Sequence, residues 1–352
     1  MKKYGFVIFL FVQILFLQYL KINPQFVETY YSNFFYQKTS LFSRQIFGYI
    51  NFSIGDVIYA MAIISMVVWL FYRIKTRKLI LLPIVNFVSI FYFIFHLLWG
   101  YNYYRVPLAE KMNINTDYSD TELILFTEKI IQQTNETHFL ITKNKISKVV
   151  VPYATKQIFD LCGNGYKNVS VKFPYFKHEN QATKESLFSV PLSYMGFAGY
   201  LNPFTNEAQI NAKMPKYSFA MTATHEMAHQ IGFASESECN FIGYLAAVAN
   251  DDLYVRFSAE SFAVRYCLRI VQIKNPAKFR QLIAKVNPGI MQNFKENDTF
   301  WKAHESFIET GFKVFYDQFL KANQQKDGLK GYGKFLNLLI GFERMQDEKG
   351  NR

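Results

Sequence analysis

The sequence predicts an α+β protein in which N-terminal transmembrane helices precede a mostly helical domain with a small sheet. Three observations lead to this prediction. Long apolar segments dominate the first hundred residues, apolar runs shorten and charges intersperse from about residue 105, and an almost wholly helical pattern follows Pro215. We therefore predict a membrane domain over residues 1–104 and a second domain over residues 105–352.

The composition excludes several classes of protein. The 352 residues carry 39 Lys and Arg against 27 Asp and Glu, a net charge of +12, and half are hydrophobic, which is too apolar for a disordered chain. The positive charges are scattered and accompany no nucleic-acid motif, so we expect no nucleic-acid partner. Cys162, Cys239 and Cys267 form no CxxC pair, which argues against zinc ribbons and thioredoxin-like chemistry and leaves room for one disulfide without requiring it.

The first domain contains three predicted spans, at residues 4–20, 57–72 and 79–99. Each is near or above the roughly 20 residues that cross about 30 Å of hydrocarbon, so we expect a multi-pass protein in a lipid bilayer. The basic start and first apolar run also fit a signal peptide, but no small-x-small cleavage site follows, which favours an uncleaved anchor.

Basic residues next to the spans predict the orientation. Lys2, Lys3 and the RIKTRK link at residues 73–78 should stay cytoplasmic, which places everything after Gly100 outside. The aromatic-rich stretch Lys21 to Ser53 would then lie on the outer interface as a partly amphipathic segment. His96, inside the third span, is a functional candidate by its position, although a satisfied histidine near the interface is the favoured interpretation.

Short-range patterns predict the elements of the second domain. Ser119-Asp120 precede a periodic run that is typical of a capped helix. Alternation predicts strands at Lys148 to Pro152 and Val169 to Phe176, and a strand pair at Met195 to Tyr200 and Glu207 to Ala212. The remaining periodic segments predict helices: Ser218 to Ile231, Glu236 to Val248, Ser258 to Lys274, Phe294 to Asn323 and Tyr332 to Arg344.

One motif stands out, His225-Glu226-Met227-Ala228-His229, within a helical pattern. Positions i and i+4 share a helix face, so both imidazoles can point at one ion while Glu226 reaches its open side. This arrangement predicts a Zn²⁺ site with Glu226 as the catalytic base. The alternative is two helix histidines that are four residues apart by chance.

Catalytic zinc usually has three protein ligands and a water. A metzincin would have its third histidine where this chain has Ser235. The segment Glu236-Ser237-Glu238-Cys239-Asn240 instead resembles the second helix of the gluzincin metallopeptidases, which has a ligand glutamate, a small residue three positions on and Asp or Asn four positions on. This resemblance implies that His225, His229 and Glu236 are the metal ligands.

The gap between His229 and Glu236 is shorter than gluzincins commonly have, so Glu238 and Glu260 stay as alternate ligands. Each of these glutamates also has an alternative interpretation in which it binds no metal. Glu236 and Glu238 lie near a helix start, where their charges would complement the helix dipole. Glu260 can belong to a solvated helix face. By the same resemblance, Asn240 would hydrogen-bond a ligand imidazole, unless it is an ordinary surface asparagine.

Two tyrosines are candidates for stabilising the transition state, Tyr200 near the turn of the strand pair and Tyr332 in Gly331-Tyr332-Gly333. Each could instead be a core or interface tyrosine. The strand predicted at Glu207 to Ala212 occupies the place where zincins pair an extended substrate with an edge strand.

The layout as a whole, with WGYNYYRVPL, GFAGYLNPFTNEAQIN and THEMAHQIGFASESECNFIGYLA, resembles an uncharacterised bacterial family of multi-pass membrane proteins grouped with the zincin-like peptidases. The resemblance implies a protein of the bacterial inner membrane with an extracytoplasmic zincin-like domain. It further implies a membrane-anchored zinc metallopeptidase that acts on a peptide or protein substrate in the cell envelope.

The main alternative is a catalytically silent binding or assembly protein that retains the fold. An intramembrane protease does not fit, because polar residues such as Thr222, Thr224 and Gln230 surround the motif. A transporter fits poorly with three spans. The sequence leaves the substrate, the regulation and the oligomeric state open.

Overall fold

The structure is a computed structural model that describes residues 4–77, 81–324 and 332–350. It is mostly helical with one small mixed sheet, which confirms the coarse α+β prediction. The first four helices precede residue 100: α1 Gly5–Lys21, α2 Pro24–Gly48, α3 Ile54–Lys75 and α4 Leu81–Leu98.

Two of these helices, α3 and α4, are long and apolar enough to cross a membrane. The first predicted span coincides with α1, which passes the same test only together with α2, to which it is joined at a bend of 98°. Two to three apolar helices of the described chain could therefore span a membrane, where the sequence predicts three.

The segment predicted to lie on the outer interface forms α2, which is π-helical over Val27–Phe35. This helix buries Tyr31, Tyr36 and Arg44 against the rest of the protein. His96, near the end of α4, places Nδ1 2.9 Å from the carbonyl oxygen of Tyr92, and its ring packs among aromatic side chains.

Eleven further α-helices of the described chain follow a 3₁₀ turn at Gly100–Tyr104. They are α5 Leu108–Met112, α6 Asp120–Thr142, α7 Thr155–Lys172, α8 Ser189–Met195, α9 Phe219–Gln230, α10 Glu236–Val248, α11 Leu253–Lys274, α12 Pro276–Ile283, α13 Pro288–Ala303, α14 Phe307–Ala322 and α15 Tyr332–Gly350. The predicted capped helix is α6, where Ser119 and Glu122 form a capping box.

Three predictions of local structure are wrong. Val169 to Phe176 is not a strand, because Ile158, Cys162, Tyr166 and Val169 continue one buried helical face to the end of α7. Lys148 to Pro152 forms no strand within the described chain. The helix predicted over Phe294 to Asn323 is broken, because the Ser306 hydroxyl accepts a hydrogen bond from Glu309 N and starts α14.

The sheet has three short strands, β1 Thr183–Glu185, β2 Gly199–Leu201 and β3 Ala208–Ile210, in the order β1-β3-β2. Antiparallel pairing of β2 with β3 confirms the predicted strand pair, but with other bounds, because Met195 belongs to α8 and β2 ends one residue beyond Tyr200. Strand β1 adds a parallel strand that the sequence pattern did not reveal. Because β3 is central, the expectation that it forms the edge for an extended substrate is wrong. That edge belongs to β2.

Most of the buried apolar side chains form one core that extends from α5 to α15. The three cysteines lie in or beside this core as free thiols, so none of them forms a disulfide. A smaller cluster joins Leu17 and Leu20 of α1 to Tyr36 and Trp99, where the ends of α1 and α4 meet the second domain.

Buried ion pairs cross the predicted boundary at residue 104. Glu28 of α2 accepts two hydrogen bonds from Arg105, at 2.8 and 2.9 Å, and one from Lys111 at 2.7 Å. Glu207, paired with Lys184, accepts a hydrogen bond of 2.6 Å from Gly55 N at the amino end of α3. The ends of α1, α3 and α4 that face these contacts are called the domain-side ends below.

The orientation of the chain is a prediction that a reporter can test. Arg73 and Lys75 lie in the last turn of α3, at the opposite end from the domain-side end. We expect a reporter that is active only after export to be active when it is fused to the C-terminus of the full chain and inactive when it is placed after Arg77. The reverse pattern would contradict the predicted orientation.

Candidate metal centre

The motif helix α9 and the following helix α10 build the site. Positions 225 and 229 are one helical turn apart, so His225 and His229 share a face of α9. After the turn at Gly232, which has a φ of +91°, α10 packs across α9. A Cβ at Gly243 would lie 2.8 Å from the backbone nitrogen of His225, so glycine allows the two helix backbones to approach closely there.

This close approach brings Glu236 over both histidines. Its Oε2 lies 3.2 Å from His225 Nε2 and its Oε1 lies 3.7 Å from His229 Nε2. The three potential ligand atoms all lie within 4.8 Å of one another, and no other such group occurs in the described residues. Donors that each lie about 2.0–2.2 Å from one zinc are roughly 3–4 Å apart. Both distances from Glu236 to the histidines fall in this range, so the donor set fits a single Zn²⁺.

The second ring nitrogen of each histidine faces an oxygen atom. His225 Nδ1 lies 2.8 Å from Asn240 Oδ1, and His229 Nδ1 lies 2.7 Å from the carbonyl oxygen of Phe233. With a proton on Nδ1, each ring turns the lone pair of Nε2 toward Glu236, which is the tautomer that a metal requires. The structure thus places Asn240 where the resemblance implies it.

Glu226 lies next to this group and is buried, with 4% of its surface exposed. Its Oε2 has no hydrogen-bond partner among the described residues, and burial raises its pKa. The backbone of β2 passes close by, since a Cβ at Gly199 would lie 3.0 Å from Glu226 Oε1. A buried carboxylate oxygen without a partner, beside three potential ligands, fits a site that holds a metal ion and a water.

The histidines and Glu226 open into a cleft of about 450 Å³. Its walls are β2, α9 and α14, together with Tyr59 of α3, Phe95 of α4 and Trp99. The Trp99 and His229 rings pack edge to face, with their centroids 5.7 Å apart.

Tyr316 of α14 is the site residue that sequence reasoning missed. Its hydroxyl donates a hydrogen bond of 2.6 Å to Glu236 Oε1, and burial raises its pKa. It lies 80 residues beyond Glu236 in a helix that carries no recognised motif. No local signal in the sequence points to it.

The alternate ligands are not brought to the histidines. Glu238 lies about 200° around α10 from Glu236, and its Oε1 accepts a hydrogen bond of 2.7 Å from Leu108 N. Glu260 is buried on α11, where it lies 3.6 Å from Arg256 and where burial raises its pKa to about 7.

The two tyrosines that are candidates for stabilising the transition state lie in different parts of the structure. Tyr200 lines the cleft, and its hydroxyl donates to Asp56 at the start of α3 rather than to one of the three potential ligands. Helix α15 begins at Tyr332, whose side chain lies outside the described part of the chain.

Side chains of α2 hold the end of the motif helix. The Tyr36 hydroxyl lies 3.3 Å from the carbonyl oxygen of His229. Arg44 donates a hydrogen bond of 2.7 Å to the carbonyl oxygen of Gln230. Gln37 donates a hydrogen bond of 3.1 Å to the carbonyl oxygen of Ile231. A cation at the carboxyl end of a helix also complements the helix dipole. The end of α9 that carries His229 is thus fixed by α2, which precedes the candidate spans α3 and α4.

Comparison with known proteins gives one match. No curated protein and no solved structure matches this chain. The model of a family described as "Protein of unknown function (DUF3810)" matches residues 31–340, which include most of α2, the candidate spans α3 and α4, and the whole site. Because this match covers most of the chain, the chain belongs to the family DUF3810.

Proposed function

We propose that this protein is a membrane-anchored zinc metallopeptidase of the zincin-like, gluzincin type, acting on peptides or proteins of the bacterial cell envelope. His225, His229 and Glu236 would hold the Zn²⁺, and Glu226 would be the general base. The observation that carries the proposal is the unpartnered, buried carboxylate oxygen of Glu226 beside three potential ligands in an open cleft. A purely structural zinc site has no use for such a carboxylate.

Zinc, when bound, supplies a Lewis acid that polarises the scissile carbonyl and lowers the pKa of water to about 7. Glu226 Oε2 accepts a proton from the attacking water, whose oxygen forms a bond to the carbonyl carbon. Glu226 then delivers this proton to the leaving nitrogen as the C–N bond breaks, so one water is consumed and a carboxylic acid and an amine are formed.

The edge strand β2 is the element best placed to bind the substrate backbone. It pairs with β3 on one side only, and its residues Gly199, Tyr200 and Leu201 line the cleft. An extended peptide that pairs with the free edge of β2 would gain main-chain hydrogen bonds with little dependence on sequence. It would also lie beside Glu226, which β2 covers.

Tyr316 is the proposed donor to the oxyanion. We expect Tyr316→Phe to leave the zinc content unchanged and to lower kcat by about 10²-fold to 10³-fold, since the hydroxyl would stabilise charge that develops only in the transition state. Metal analysis and steady-state kinetics on the full chain measure both quantities. Tyr194→Phe is the matched control, and an unchanged kcat in Tyr316→Phe would contradict the assignment.

The proposal is tested with the full chain, because contacts of α2 and α3 complete the domain. Purified protein is expected to contain about one zinc per chain. Membranes that contain the protein, incubated with envelope proteins, should produce new peptide N-termini that a chelator abolishes and added zinc restores. Protein without bound zinc, or termini that persist with the chelator, would overturn the proposed function.

A further inference from the structure

The cleft is bordered by helices that could span a membrane. Tyr59 lies in the second turn of α3, and Phe95 lies in the last turn of α4, so both belong to domain-side ends. The opening of the cleft therefore lies where the apolar helices meet the second domain. A substrate that is free in solution would not require the cleft to open at this boundary.

Helix α14 lines the cleft and is connected to two domain-side ends, directly to that of α4 and through α8 to that of α3. Near its carboxyl end, the Phe319 ring lies 6.0 Å from the ring of Phe95 in α4. At its amino end, the Ser306 hydroxyl donates a hydrogen bond of 2.9 Å to the carbonyl oxygen of Tyr194 in α8. The segment that leads into α8 is in turn fixed to the start of α3, since Leu187 N donates a hydrogen bond of 2.7 Å to Asp56.

The outer face of α14 is apolar and exposed. Phe307, Ile308, Val314 and Phe315 are 87%, 41%, 61% and 65% exposed. Their spacing of i, i+1, i+7 and i+8 places them on one side of the helix, away from Tyr316. Polar residues occupy a separate strip that includes two ion pairs: Lys313 with Glu309 and Lys321 with Asp317.

Neighbouring surfaces extend this apolar face. Leu187 and Val190, beside and within α8, are 57% and 51% exposed. The exposed side chains of α3, including Met61 and Ile63, begin two turns beyond the start of that helix. A helix with one apolar face and one charged strip, adjacent to the ends of apolar spans, is typical of a helix that lies in the surface of a bilayer.

We propose that α14 lies in the membrane surface and that the substrate is a polypeptide anchored in the same bilayer, which enters the cleft between α14 and the domain-side ends of α3 and α4. This inference rests on the proposed peptidase function. The polar part of the substrate would continue into a second cavity of about 580 Å³, which shares His225, Glu236 and Tyr316 with the cleft and is lined beyond them by Arg105 and Glu238.

The position of α14 can be tested without measuring activity. The full chain is reconstituted in vesicles of phosphatidylethanolamine and phosphatidylglycerol, with a spin label on Phe315→Cys in the apolar face or on the matched variant Thr310→Cys in the polar strip. We expect oxygen, which partitions into lipid, to collide severalfold more with the label at 315, and a water-soluble nickel complex to collide more with the label at 310. The native cysteines are buried, so unsubstituted protein gives the background. Equal exposure of both labels to the nickel complex would overturn the proposal.

The substrate class is tested with one cleavable sequence, taken from the envelope proteins cleaved by the wild type. This peptide is presented in the same vesicles either on a lipid anchor or free in solution. We expect the anchored form to be cleaved about 10²-fold faster, because anchoring raises its effective concentration at the cleft. Phe315→Asp should reduce that preference, whereas Thr310→Asp, which adds the same charge to the polar strip, should not.

The outcomes separate the two proposals. Equal cleavage of anchored and free peptide would overturn the membrane-anchored substrate while the peptidase function stands. If no peptide is cleaved and no zinc is bound, the peptidase function fails and the inference about its substrate fails with it. The spin-label experiment still decides the position of α14 in that case.

Discussion

Glu226→Gln is expected to abolish most turnover while the protein keeps its zinc and its fold. Glutamine preserves the size of the side chain and its capacity for hydrogen bonds, but it cannot accept the proton of the attacking water. Loss of general-base catalysis typically costs about 10²-fold to 10⁴-fold in rate. The residue is not one of the three potential ligands, so metal binding should not depend on it.

The measurement compares new peptide N-termini and zinc content between wild type and Glu226→Gln, with both proteins as full chains in membranes. Glu185→Gln, an exposed change of the same chemistry on β1, is the control and should behave as wild type. Identical termini from Glu226→Gln and wild type, at full zinc occupancy, would favour the catalytically silent binding or assembly protein.

His229→Ala is expected to lose most of the zinc. A three-ligand site depends on each donor, and His229 is the proposed ligand whose ring contacts both the carbonyl oxygen of Phe233 and the ring of Trp99. Loss of activity should follow loss of the metal, whereas Glu226→Gln should lose activity and keep the metal.

Asn240→Ala, which removes only the partner of His225 Nδ1, should weaken zinc binding by about 10-fold to 100-fold.

Metal analysis of the full-length variants measures this effect. His304→Ala is the control, because that histidine bonds to its own helix through Nδ1 and lies outside the group of potential ligands. Glu236→Ala and Glu238→Ala compare the two glutamates directly. Zinc lost in Glu238→Ala but kept in Glu236→Ala would show that the ligand assignment is wrong, while unchanged zinc in His229→Ala would remove the site.

The local part of the site could be predicted from the sequence, because it depends on short spacings. His225 and His229 are four residues apart on one helix, and Glu236 and Asn240 are one turn apart on the next. Helical periodicity alone therefore places each pair on one face. The Ser119 capping box and the strand pair around Asn202-Pro203 also depend on residues that are close together in the sequence, so they too could be predicted.

The rest of the site depends on contacts between distant parts of the chain. Tyr316 reaches Glu236 across 80 residues, and Tyr36 reaches Gln230 across 194. No spacing rule connects such positions, and their residue types are common in cores. For the same reason, the sequence does not reveal that the hydroxyl of Tyr200 donates to Asp56, 144 residues earlier in the chain.

The hydrogen bonds from α2 to the end of α9 have a consequence for the biogenesis of the protein. During synthesis, Tyr36 and Arg44 leave the ribosome long before Gln230, the last residue of the helix whose end they hold. A chain released before α2 has reached its place would leave the carbonyl groups of residues 229 to 231 without these partners and His229 poorly fixed. The candidate metal centre would therefore be completed only after α2 has packed against the end of α9.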